Sequence, residues 1–287
     1  MTKIILQDFK TDEPNTWCPG CGNFGVLRAL QTALVDLKMP REKYLIVTGI
    51  GCHGKLFNYV NINGFHTIHG RVLPLATGAK LANHELIVLG FAGDGDQYDE
   101  GLGHLPHAAR RNIDVKLFTH DNKVYGLTTG QTAPTSQQGY KSKTSPSGAI
   151  PTPINPLLLA LASDASFVAR GWVGDVNHLK ELIKTAIKHP GFTLVDILQV
   201  CFTFNKVNTY QFYRDRVYKL SETKHDPTDF HQAVERSMEW DEKIPIGIFY
   251  KKERPTYRTA LPQLSKQPLF KQQVQPIGLD ELVNEFS

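Results

Sequence analysis

The chain has 287 residues, 41% apolar and 21% charged, a composition of globular proteins long enough for one large core or two modest ones. Its 32 basic and 28 acidic side chains leave a formal charge of +4, which gives no ground for a nucleic-acid partner. No apolar run reaches membrane-spanning length and Met1 to Lys10 lack a signal-peptide core, so a cytoplasmic setting is expected, with no membrane contact and disulfides disfavoured.

From about Cys21 to Gln199, short aliphatic runs alternate with helix-like stretches. A helix over 25–37 is followed by a strand over 44–48, a helix over 73–82 and a strand over 86–91. Next come a helix over 101–110, a strand over 115–119, a helix over 156–162 and a strand over 167–169. A helix over 176–188 carries Leu179, Leu182, Ile183, Ala186 and Ile187 on one face and is stopped by His189-Pro190-Gly191; a strand over 194–199 follows it. Such alternation predicts an α/β fold, a doubly wound, mostly parallel sheet with helices on both faces and ligands at the carboxyl ends of its strands.

The stretch 128–156, rich in Thr, Ser, Gln, Gly and Pro, reads as a long functional loop. Beyond Asn205 the alternation fades: 210–218 and 230–239 look helical and 244–250 looks like a strand. The tail, 251–287, is rich in Pro, Gln and Lys and reads as a surface wrap. The expected division is a domain over 1–205 and a C-terminal extension over 206–287 that packs on it or on a partner. No internal repeat is present.

Four cysteines make up the whole thiol inventory. Cys18 and Cys21 form a CxxC turn in Trp17-Cys18-Pro19-Gly20-Cys21-Gly22, while Cys52 and Cys201 each follow an aliphatic run. One knuckle plus two distant single cysteines departs from a zinc ribbon and suggests a site assembled by folding a whole domain. On the cysteines alone, a four-thiolate iron–sulfur cluster and zinc stand level, with disulfides below both.

A second motif follows the 86–91 strand: Gly93-Asp94-Gly95-Asp96, then Asn122 at the end of the 115–119 run. Mg²⁺ takes hard oxygen ligands and binds through one or two protein groups plus phosphate oxygens. Asp94 can supply a carboxylate, Asn122 an amide oxygen and Val124 a backbone carbonyl. Gly93 and Gly95 let the backbone pass close to a diphosphate, and the helix start beyond them offers N–H donors. A lone GDG is an ordinary turn; strand, interval and Asn together carry the reading.

These residues resemble the thiamine-diphosphate enzymes, whose signature is GDG, some two dozen residues, then Asn-Asn. Here Asp121 replaces the first Asn and Asn122 keeps the second. With CPGCG, GIGC, His69-Gly70-Arg71 and the run from Asn122 to Gln131 added, the series is similar to the beta subunit of the 2-oxoacid:ferredoxin oxidoreductases, over roughly Trp17 to Tyr250. That resemblance implies a thiamine-diphosphate-binding fold and a [4Fe–4S] cluster on Cys18, Cys21, Cys52 and Cys201. It implies Mg²⁺ on Asp94, Asn122 and Val124, and a coenzyme site that also takes in His69, Arg71, Gly93, Gly95, Asp96, Gly126 and Leu127. The implied reaction is oxidative decarboxylation of a 2-oxoacid, with coenzyme A taking the acyl group and ferredoxin the electrons.

Each role has a plain alternative. Cys201 can be a buried strand-end thiol, Leu127 simple core, His69 and Arg71 a structural pair, and Lys55 a surface lysine rather than a cation for the substrate carboxylate. The basic stretches 214–219 and 251–258 can meet ferredoxin or another subunit, or be solvated faces. No ylid-promoting glutamate can be assigned, so the resemblance implies an alpha subunit that supplies it. Two other readings are a thiamine-dependent non-oxidative decarboxylase or synthase, and a non-enzymatic four-cysteine zinc module.

Overall fold

The computed structural model describes residues 4–264, 267–273 and 278–286. Helix α1 (Asn23–Leu37) begins just after the CxxC turn and buries Val26, Ala29, Leu30, Ala33 and Leu34, the spacing of one helix face. Then come strand β1 (Tyr44–Thr48), the single turn α2 (Leu56–Tyr59), strand β2 (Asn63–His66), helix α3 (Val72–Ala82) and strand β3 (Ile87–Gly93). A π turn (Asp96–Glu100) leads into α4 (His104–Arg110) and β4 (Val115–Asp121). The small hairpin β5 (Val124–Tyr125) and β6 (Gln131–Thr132) opens the long loop. That loop ends at α5 (Pro156–Ala162), where Asn155 caps the helix by accepting the Leu158 N–H. Strand β7 (Phe167–Trp172), helix α6 (Val176–Lys188) and strand β8 (Thr193–Leu198) complete the alternation. Helix α7 (Tyr210–Arg214), β9 (Val217–Lys219), α8 (Phe230–Ser237), β10 (Ile244–Lys251) and α9 (Leu279–Glu285) follow.

Eight strands form one sheet in the order β2-β1-β3-β4-β8-β7-β10-β9. All neighbours run parallel except β10 against β7. Alternate residues feed opposite faces, as the pleat requires. Ile46, Leu89, Phe118 and Val195 join α1, α2 and α6 in one core, while Leu45, Val88, Leu117 and Leu194 join α3, α4, α5 and α8 in the other. The doubly wound expectation therefore holds. The central strands are buried on both sides, which is why they read as continuous aliphatic runs.

Three local readings need correction. The edge strand β2, Asn-Gly-Phe-His, carries no aliphatic run and exists because it pairs with β1. The expected helix over 210–218 stops at Arg214, since Val217 to Lys219 pair in parallel with Ile244 to Ile246 and pairing overrides propensity. The helix expected from 101 starts at His104, behind the π turn. The tail lies back on its own domain where Asn112 donates to the carbonyls of Arg254 and Pro255, both at 3.1 Å. Parts of the wrap assigned to 251–287, namely 265–266, 274–277 and 287, fall outside the described residues. Among the described residues no helix is long and apolar enough to cross a membrane.

The sheet buries charge as well as hydrocarbon. Asp196 in β8 is fully enclosed, accepts from the Tyr98 hydroxyl at 2.9 Å and lies 3.7 Å from Arg170 Nε. Burial, then repulsion from Asp121, pushes its carboxyl up to about 7 against the pull of Arg170 and Lys123. Between the unfolded value of about 4 and that raised value, the folded chain binds the extra proton. The stabilisation is thus full below the lower value and lost as pH rises through the upper one. Asp196→Asn is expected to leave the thermal midpoint unchanged near pH 4 and to raise it near pH 8, by about 2–4 °C for each kcal/mol relieved. Calorimetry showing the same shift at both pH values would refute this.

Candidate cofactor and cluster site

Strands β1, β3, β4 and β8 are neighbours in the sheet, so their carboxyl ends deliver four distant segments to one place. Cys52 follows β1, Asp94 follows β3, Asn122 follows β4 and Cys201 follows β8. One cleft there is lined by His69, Gly93, Asp94, Gly95, Asp96, Asn122, Val124, Gly126 and Leu127, joined by Cys52, His53 and Tyr125.

Asp94 is 2% exposed and accepts from Thr135 Oγ1 at 2.7 Å. Burial, then the charge of Asp121, holds its carboxyl well above the usual carboxylate range, against the Thr135 and Gly95 hydrogen bonds and the Lys123 charge. A buried carboxylate so placed is stabilised by a hard cation at the cleft. Asn122 sits beside it, its Oδ1 accepting the Val124 N–H at 3.0 Å and its carbonyl accepting from Asn205 Nδ2 at 3.0 Å. The donor set fits Mg²⁺.

Asp96 lines the cleft but spends its carboxylate as a brace. It accepts the Gly70 N–H at 2.7 Å and lies 3.3 Å from His53 Nε2 and 3.6 Å from His69 Nδ1. Burial raises its pKa, but the His53 hydrogen bond and charge, the Gly70 N–H and His69 outweigh it and set the carboxyl below its ordinary value. A Cβ on Gly49 would collide with that carboxylate, so only glycine fits at this point of the turn. Arg71 lines neither this cleft nor the cysteine cavity. Its guanidinium turns to the Glu100 carbonyl at 3.3 Å and His104 Nε2 at 3.2 Å.

All four cysteines line a second, mainly apolar cavity of about 190 Å³, with Trp17, Lys55, Leu127, Phe202 and Phe204. The CxxC turn closes on a Cys21 N–H to Cys18 carbonyl bond of 3.1 Å, and Trp17 Nε1 donates to the Cys52 carbonyl at 2.7 Å. Burial lifts the Cys21 thiol to about 12 and the Cys52 thiol to about 11, with the neighbouring cysteines adding to both. All four are free of disulfides. Among the described residues no three His, Cys, Asp or Glu side chains gather closely enough to grip a single ion. Zinc needs its sulfurs about 2.3 Å from one centre, whereas thiols spread around a cavity fit a polynuclear cluster.

The two spaces share Cys52, Asn122, Gly126 and Leu127. Gly126 is the thinnest part of that wall: a Cβ there would lie 3.5 Å from Cys201 Sγ, 3.7 Å from Cys52 Sγ and 3.9 Å from Asn122 Nδ2. Lys55, expected near a substrate carboxylate, lies on the cysteine side only. The motifs gave no sign of Gly49, His53, Tyr125 or Thr135. Gly49 and His53 flank the GIGC string, and that adjacency was the one available signal. Thr135 reaches Asp94 from 41 positions away and had none.

Residues 49–197 match the thiamine pyrophosphate enzyme C-terminal TPP-binding domain, and residues 201–266 match the family formed by the C-terminal part of the pyruvate ferredoxin oxidoreductase beta chain. The 2-oxoacid:ferredoxin oxidoreductase subunit beta of a Sulfolobus species is 47% identical, covering 88% of this chain and 87% of its own. Subunit beta of oxidoreductase 1 from Aeropyrum pernix is 42% identical, over 90% and 85%. A solved 2-oxoglutarate:ferredoxin oxidoreductase from Magnetococcus marinus, with 2-oxoglutarate, coenzyme A and succinyl-CoA bound, superposes with a TM-score of 0.87. Its identity is 40%, and the match covers 90% of this chain and 88% of that one.

Proposed function

The chain belongs to the 2-oxoacid:ferredoxin oxidoreductase family as a beta subunit, and we propose that it holds thiamine diphosphate through Mg²⁺ beside a [4Fe–4S] cluster. Asp94, Asn122 and the Val124 carbonyl are the Mg²⁺ ligands; Cys18, Cys21, Cys52 and Cys201 hold the cluster. Leu127 packs against the coenzyme ring, and Lys55 faces the substrate carboxylate. The coenzyme supplies an electron sink for decarboxylation and the cluster a one-electron acceptor. Overall, one 2-oxoacid, one coenzyme A and two oxidised ferredoxins give one acyl-CoA, one CO₂, one proton and two reduced ferredoxins.

The observation that carries this reading is the shared wall, which puts the cysteine cavity one glycine away from the acidic turn and Asn122. A non-oxidative synthase has no use for that adjacency, and a zinc module none for the acidic cleft. Among the described residues no glutamate lines the cleft, so the coenzyme site is completed by an alpha subunit, and the working complex is cytoplasmic. Residues 206–287 extend the 1–205 domain, since β9 and β10 enlarge its sheet. Purified alone, the chain is expected to turn over no 2-oxoacid. With its alpha subunit it is expected to consume pyruvate or 2-oxoglutarate with coenzyme A and ferredoxin. Full turnover by the isolated chain would overturn the two-subunit site.

A further inference from the structure

Four stretches of the sequence contain no Asp or Glu at all: 14–35, 43–84, 122–163 and 197–214. They supply all four cysteines and the long loop beside them. All 28 acidic residues lie elsewhere, so the rim of the cysteine cavity is built from segments free of negative side chains.

Cations stand on that rim. The 139–149 stretch folds back on itself through Gly139 N–H to Ala149 carbonyl and Ala149 N–H to Tyr140 carbonyl bonds, both 2.8 Å. The Tyr140 hydroxyl then donates to the Phe204 carbonyl at 3.1 Å and fastens the stretch to the segment carrying Cys201. Its tip exposes Lys141 and Lys143. Lys206, also exposed, donates to the Phe202 carbonyl at 2.8 Å and lies 5.1 Å from that ring's centroid. Beside these cations, Phe202 is 58% and Val207 45% exposed, and Cys18 reaches the surface. Lys141, Lys143 and Lys206 have no salt-bridge partner among the described residues. The alternative basic stretches are already compensated: Lys219 pairs with Asp175 at 2.9 Å, and Lys252 and Arg254 both pair with Asp164.

We propose that the acidic electron acceptor docks on the rim of the cysteine cavity, with Lys141, Lys143 and Lys206 ringing Phe202 and Val207. An apolar centre inside a ring of unpaired cations suits a small acidic protein that must bind briefly and leave. The inference rests on ferredoxin being the acceptor and on the cysteines holding the cluster.

The test uses the complex of this chain with its alpha subunit, together with a purified low-potential ferredoxin and methyl viologen as a small acceptor. The double variant K141E/K143E is expected to raise the KM for ferredoxin about tenfold and to flatten its dependence on salt. The viologen-linked rate should not change, and K188E, a charge reversal on the exposed side of α6, should behave as wild type. A ferredoxin KM within twofold of wild type would overturn the docking face. So would loss of the alpha subunit on gel filtration, which would assign the rim to the interface between the two subunits instead. An unmodified complex that reduces neither acceptor would sink the functional reading itself.

Discussion

Asp94→Asn is expected to weaken thiamine diphosphate binding in the presence of Mg²⁺ by more than about 100-fold while making the cofactor-free chain more stable. Both effects follow from one buried carboxylate. Asp94 is almost wholly enclosed, close to Asp121, and held by the Thr135 hydroxyl and the Gly95 N–H. Its charge is unfavourable without a cation and becomes useful when one arrives. Asparagine keeps the shape and removes the charge, so the apo fold is relieved while the cation loses its anionic ligand. Titrating coenzyme and Mg²⁺ against intrinsic fluorescence, with calorimetry of the apo protein, measures both. Unchanged coenzyme affinity would remove Asp94 from the metal site, and a less stable apo variant would contradict the electrostatic account.

Cys18→Ser and Cys52→Ser are expected to separate the two halves of the site. Both should abolish the sulfur-to-iron charge-transfer absorbance, and iron and sulfide should fall from about four each per chain to near zero. Acceptor reduction should fall to background in both. They should differ in coenzyme binding. Cys18 lines only the cysteine cavity, so its loss should leave thiamine diphosphate affinity intact; Cys52 lines both spaces, so its loss should weaken it. Anaerobic purification with iron and sulfide determination, followed by the same fluorescence titration, decides the matter. Full iron content in either variant would remove that cysteine from the ligand set.

The strands that carry the site are readable because they are buried on both faces. Residues such as Leu89 and Phe118 must be apolar whichever way they point, so the expected strands over 44–48 and 244–250 lie close to their true ends. Strand β2 is not readable: Asn63, Gly64 and His66 carry no apolar alternation, and the edge forms only after β1 offers its free side. The cysteines, the acidic turn and Asn122 stand out because spacing along the chain matches chemistry. Asp96 reads as a coenzyme contact, yet its carboxylate ties the Gly70 N–H and His53 together. Arg71 is placed at the coenzyme by its string alone, and only packing against Glu100 and His104 shows where it points. Thr135 leaves no trace in the sequence, since its bond to Asp94 exists only once the long loop has closed over the strand ends.

The cysteine cavity has a bearing on how the protein matures. Cys18, Cys21 and Cys52 lie in the first fifth of the chain, but Cys201 arrives only when β8 has paired with β4. A nascent chain on the ribosome therefore lacks the last ligand until most of the sheet exists. Iron and sulfide must be delivered afterwards, to a finished fold, through the mouth where Cys18 meets solvent. Until that delivery, four reduced thiols share one small chamber, and oxygen reaching them in that interval is the hazard the cell's assembly machinery has to outrun.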